Sequence, residues 1–131
     1  MKTSRILILE DDLKTLSVIM DCLFEIEERL VGRTDFAVTV FSEYIEVENY
    51  LNKIDEPHFD KILLDRDCKM CGSFHILDFE KFGKDRIISI SSTPNWNQEA
   101  RAAGIKRIVP KDYSNLEDFK QKLGEELNFG S

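Results

Sequence analysis

Basic residues are in deficit in this chain of 131 residues: Lys and Arg number 18 against 25 Asp and Glu, a net charge of −7 with an isoelectric point near 4.9. A phosphate backbone would be repelled, and no basic stripe or DNA-reading motif offsets this, which argues against nucleic acid as a direct partner. Cysteine is scarce, with 3 residues, and an odd count builds no even disulfide framework. Long apolar runs are missing near the start as well. The first, Ile6-Leu7-Ile8-Leu9, gives way at once to Glu10-Asp11-Asp12. That is too short for a signal peptide or a transmembrane span, so the expected location is the cytoplasm. Proline (3) and glycine (6) are few, and no linker, repeat or low-complexity segment interrupts the chain.

What is present is an ordinary globular composition, 42% hydrophobic and 33% charged, at a length suited to one core. The expected single domain spans 1–127, with 128–131 as a loose tail. Strand and helix patterns alternate throughout. Residues 4–10 read as a buried strand, and 12–30 carry Leu13, Leu16, Met20, Leu23, Phe24 and Leu30 near helical spacing. A strand at about 35–41 precedes a helix opening at Ser42, with Ile45, Val47, Tyr50, Leu51 and Ile54 apolar. Pro57 marks a loop before a third strand at 60–65.

After a polar segment, Arg66 to Ser73, a short helix carries Phe74, Leu77 and Phe82 and stops at Gly83. The fourth strand is 86–91. Thr93-Pro94 opens a helix with a cap residue followed by proline, and Gly104 closes it. A strand at 106–109 leads to Ser114-Asn115-Leu116-Glu117, read as a capping box. Its helix puts Leu116, Phe119, Leu123 and Leu127 on one face. The expected fold class is α/β, a (βα)5 doubly wound parallel sheet with helices on both faces.

Chemistry concentrates where the strands end. Glu10 and Asp11, Asp65, Ser91 and Lys111 each follow an apolar run. In an open parallel sheet the carboxyl ends of the strands form the ligand crevice, so these groups should share one cleft. Clustered carboxylates repel unless a cation joins them, and hard oxygen ligands suit Mg²⁺. The lysine and hydroxyl can hold a dianionic group beside the metal. The implied chemistry is phosphoryl transfer onto a carboxylate. Helix capping alone would need one acid, and a run of three exceeds that need.

In this order the same residues resemble the receiver domain of two-component response regulators, over nearly the whole chain. Ile6 to Asp12 is similar to the family's first strand and acidic pair, and Asp60-Lys61-Ile62-Leu63-Leu64-Asp65 to the strand ending in the phospho-accepting aspartate. Ile88-Ser89-Ile90-Ser91-Ser92 resembles the strand ending in the Thr/Ser switch residue, and Val109-Pro110-Lys111 the strand ending in the lysine. The resemblance implies a flavodoxin-like fold with strand order 2-1-3-4-5, an order for which a receiver serves as a standard example. It also implies Asp65 as phospho-acceptor, and Glu10, Asp11, Asp65 and the Asp67 backbone carbonyl around Mg²⁺. Ser91, Ser92 and Lys111 would contact the phosphoryl group. The implied partners are a sensor histidine kinase or histidine phosphotransfer protein and a downstream protein reached by surface contact, as for a stand-alone receiver.

Three departures bear on switching. The aromatic expected three residues before the lysine is Ile108; Lys111 is followed by Asp112 rather than proline; and the loop after Asp65 is short and lacks its proline. Asp112 is expected to compete for the Lys111 ammonium. A phosphorylation-independent scaffold therefore stands as the alternative function. Leu64-Asp65-Arg66-Asp67 also resembles the nucleophile motif of haloacid-dehalogenase-type phosphatases, although there the acidic metal motif follows the lysine. Cys68 and Cys71, with His75, suggest zinc or redox chemistry, but too few further ligands exist for a structural zinc site. Two small loop residues are the simpler reading.

Overall fold

A computed structural model describes residues 1–53, 59–65, 84–92 and 94–127. The polar loop after Asp65, the helix expected before Gly83, Thr93, Pro57 and the tail 128–131 lie outside the described residues, as do Asp67, Cys68, Cys71 and His75. The strands are β1 (Lys2–Leu9), β2 (Thr34–Phe41), β3 (Lys61–Asp65), β4 (Ile87–Ser91) and β5 (Arg107–Pro110); among the described residues α1 (Leu13–Arg29) follows β1, α2 (Tyr44–Lys53) follows β2, α3 (Pro94–Ala102) follows β4 and α4 (Leu116–Leu127) follows β5. All pairings are parallel, in the order β2-β1-β3-β4-β5. The flavodoxin-like order expected from the sequence is the order found.

The central strands are apolar on both faces because helices cover both. Ile6 and Ile8 of β1 and Leu63 of β3 face α1 and α4, together with Ile19, Cys22, Ile26, Phe119 and Leu123. Leu7, Leu9, Ile62 and Leu64 face α2 and α3, meeting Val47, Leu51 and Ala100. Such runs, without polar alternation, mark strands buried on both sides.

Two local expectations need correction. In α1 the inward face is Thr15, Ile19, Cys22, Leu23 and Ile26, whereas Leu13, Met20 and Phe24 are exposed. Leu16, Leu23 and Leu30 of the expected stripe do pack inward, and close packing of the helix on the sheet selects between the two faces. At α4 the cap sits one residue later than the box Ser114-x-x-Glu117. Asn115 Oδ1 accepts from the Asp118 N–H at 3.2 Å, so Asn115 caps the helix, and Ser114 instead donates to Asp112. The inward face of α4, with Phe119, Leu123 and Leu127 buried, is as expected. Gly104 takes a φ of +95° just past α3, in the left-handed region that favours glycine.

Candidate functional site

The acidic run after β1 divides its labour. Asp12 caps α1: its carboxylate accepts from the backbone N–H of Thr15 at 3.0 Å and from the Thr15 hydroxyl. These bonds, the hydroxyl's first, hold the Asp12 carboxyl below its ordinary pKa. Glu10 and Asp11 are thereby left for other work. Glu10 is buried and extends the ladder, its N–H donating to the Phe41 carbonyl at 3.0 Å. One carboxylate oxygen, Oε2, accepts from the Asp12 N–H at 3.1 Å. Asp11 is half-buried beside it.

Asp65 closes β3 and is 1% exposed. Lys111, one residue past β5, reaches back into the cleft with its side chain fully buried. Its Nζ donates to Asp65 Oδ1 at 3.1 Å and to Glu10 Oε1 at 3.2 Å. The Tyr113 ring adds a cation–π contact, with Nζ 4.9 Å from its centroid. The expected competition from Asp112 does not occur. That carboxylate is turned to Ser114, accepting from its N–H at 2.9 Å and its hydroxyl at 2.6 Å.

Among the described residues, two buried carboxylates and the half-buried Asp11 gather around the Lys111 ammonium. Burying ions costs several kcal/mol each unless partners compensate. Glu10 responds by holding a proton, its pKa pushed up to about 8. Burial is the main cause, followed by its hydrogen bond with Asp65 and the Asp65 charge; Lys111 opposes them. For Lys111, burial pulls the pKa down, but Asp65 and Glu10 outweigh it and keep the ammonium charged. One oxygen each from Glu10, Asp11 and Asp65 lies within 4.8 Å of the others. A set of hard carboxylate oxygens is the composition that divalent cations prefer.

Ser91 ends β4, fully buried, in register with Pro110. Its carbonyl accepts from the Lys111 N–H at 3.0 Å and from Asn97 Nδ2 at 3.3 Å, tying the strand end to β5 and α3. Ser92 is exposed at the rim of a cavity of about 240 Å³ that Ser91, Asn97, Arg101 and Lys111 also line. Ile108 is half-buried, faces the α2–α3 side and packs on that core. Sequence reading brought Glu10, Asp11, Asp65, Ser91 and Lys111 to one cleft, and the structure places them there. It missed Asn97 as the clamp on Ser91 and Tyr113 as the cover on Lys111. The sequence does place Asn97, after Pro94, on a helix near the phosphate side, but not its bond to the Ser91 carbonyl.

Several solved structures share this fold. The first is a response regulator receiver domain from Rhodospirillum rubrum: 20% identical, TM-score 0.67, covering 92% of this chain and 90% of the other. The fold is that of a response regulator receiver. Two further structures with the receiver fold are the bacteriophytochrome response regulators AtBRR and RtBRR. They are 17% and 18% identical, each with a TM-score of 0.58 and 98% of this chain covered, over 96% and 81% of their own lengths. No protein-family model and no curated protein matches the chain. No helix among the described residues is long and apolar enough to cross a membrane.

Proposed function

We propose that this chain is a receiver that takes a phosphoryl group from a phosphohistidine onto Asp65 and signals by surface contact, as a single unit over 1–127 in the cytoplasm. The observation that carries this is the Lys111 ammonium, buried between Asp65 and Glu10 at 3.1 and 3.2 Å, at the carboxyl ends of a receiver-fold sheet. In the transfer, an Asp65 oxygen attacks phosphorus in line. The phosphorus–nitrogen bond of the donor breaks, its electron pair returns to the imidazole, and a P–O bond to Asp65 forms. Little covalent work falls to the protein, so positioning and charge stabilisation dominate. Lys111 stays with Asp65 and steadies the added oxygens, and Ser91 supplies a hydroxyl at the same end of the sheet. Ser92, at the rim, is a further phosphate contact. Glu10, Asp11, Asp65 and the Asp67 carbonyl would hold Mg²⁺, which when bound supplies positive charge to the transferring oxygens.

The donor partner is a sensor histidine kinase or histidine phosphotransfer protein, and a second protein reads the result. The test is intact-protein mass spectrometry after incubation with acetyl phosphate and Mg²⁺. A single phosphoryl adduct that vanishes in Asp65→Asn and in EDTA is expected. An adduct retained by Asp65→Asn rejects the acceptor. No adduct at all favours the phosphorylation-independent scaffold, to which Ile108 points, and steady turnover of a phosphomonoester favours a phosphatase.

A further inference from the structure

β2 is an edge of the sheet, with β1 on one side only. The carbonyls of Arg33 and Phe41 accept from the N–H groups of Lys2 and Glu10, so the odd-numbered residues of this stretch bond toward β1. Backbone groups alternate direction along a strand, and Thr34, Phe36, Val38 and Val40 therefore point theirs outward. The first two N–H groups are covered from within the chain: Thr34 by the Leu30 carbonyl at 3.0 Å, Phe36 by Glu27 Oε2 at 2.8 Å. Nothing among the described residues does the same for Val38 and Val40.

Natural edges are usually blunted by lysine, proline, inward charge or a bulge. The run Phe36-Ala37-Val38-Thr39-Val40-Phe41 has none of these residues, and β1 and β2 pair without a bulge. Beside it lies an apolar groove of about 240 Å³ bounded by Met20, Phe24, Phe36 and Val38. Met20 (40%), Phe24 (58%) and Val40 (41%) are exposed around it.

We propose that this edge pairs with the same edge of a second copy of the chain, the two β2 strands running antiparallel so that two five-stranded sheets become one. Antiparallel alignment centred on Val38 sets Val38 against itself and Phe36 against Val40 of the second copy, a favourable aromatic and β-branched pair. It also sets Arg33, just before the strand, opposite Glu43 of the second copy, just after it; both are exposed. A strand carrying a base at one end and an acid at the other is complementary to itself only in the antiparallel sense. The twofold axis is normal to the sheet, so both α1 helices lie on one face, where Met20 and Phe24 of each close over the junction. Such an isologous contact is self-limiting.

Sedimentation of the full chain from micromolar to millimolar concentration tests this, with no metal or phosphoryl donor required. Wild type should form dimers, and more readily in salt, because each copy carries −7. Val40→Lys, and Val38→Pro, which removes only an outward N–H, should each weaken the dimer by at least about tenfold while circular dichroism stays native. Arg33→Glu should weaken it about three- to tenfold, and Arg33→Glu combined with Glu43→Arg should restore it. A wild type that is monomeric throughout, or a dimer indifferent to both edge variants, overturns the proposal. So does an edge that takes up an added extended apolar peptide but not its own copy.

Discussion

Lys111 is shared by two buried carboxylates, and burial leaves a proton on one of them, Glu10. In the folded chain that proton stays until about pH 8; in the unfolded chain it leaves near the ordinary value of 4.5. Between these limits the native state binds more protons than the unfolded one. The Glu10 contribution to stability is therefore fully present below 4.5 and declines as pH rises toward 8. In chelator, the melting temperature of wild type should fall across this window relative to Glu10→Gln, whose neutral amide does not titrate. Millimolar Mg²⁺ should reverse the loss at the alkaline end and do little at the acid end, where proton and cation compete for one carboxylate. Equal pH profiles for wild type and Glu10→Gln in chelator would contradict the buried proton. The site's membership was legible because Glu10, Asp65, Ser91 and Lys111 each end an apolar run, and strand ends converge. The division of tasks among Glu10, Asp11 and Asp12 was not, since three adjacent acids look alike until backbone direction separates the cap from the cleft.

Among the elements, strands were more legible than helix faces. A strand buried on both sides is simply apolar, as Ile62-Leu63-Leu64 is, and neighbours cannot alter that reading. In α1, apolar residues occur on two stripes, and only docking decides between Ile19, Cys22 and Ile26 inside and Leu13, Met20 and Phe24 outside. Caps have a similar ambiguity: Ser114 and Asn115 both suit the position, and Asp112 resolves it by engaging Ser114. Asn115→Ala should therefore cost about 1 kcal/mol in urea unfolding, the usual worth of an N-cap. Ser114→Ala should cost clearly less, its bond being exposed. The reverse ranking would restore the capping box read from Ser114 and Glu117.

At the scale of the molecule, Ile108 bears on how far a phosphoryl group at Asp65, if the proposed function holds, would be felt. It is β-branched, stiff at χ1 and half-buried on the α2–α3 core, with no ring to exchange between two positions. A ligand shifts an equilibrium only through its differential interaction with the two states. Beryllofluoride, a phosphoryl mimic, should therefore perturb the amide NMR signals near Asp65 and Ser91 much more than those along α3 and β5. Concerted shifts of equal size across residues 96–109 would reveal a coupling route that does not need an aromatic. The strand order has a consequence of a different kind, for how the chain is made. Among the described strands every pairing is parallel, and a parallel pair needs a crossover connection rather than a hairpin. β1 leaves the ribosome well before its second neighbour, β3, which is complete only at Asp65. Until β3 has emerged, Ile6 to Leu9 has one flank open to whatever apolar chain is nearby. Long loop closures should therefore set the folding rate, and a chain lacking β3 should be more prone to aggregate than the complete sheet.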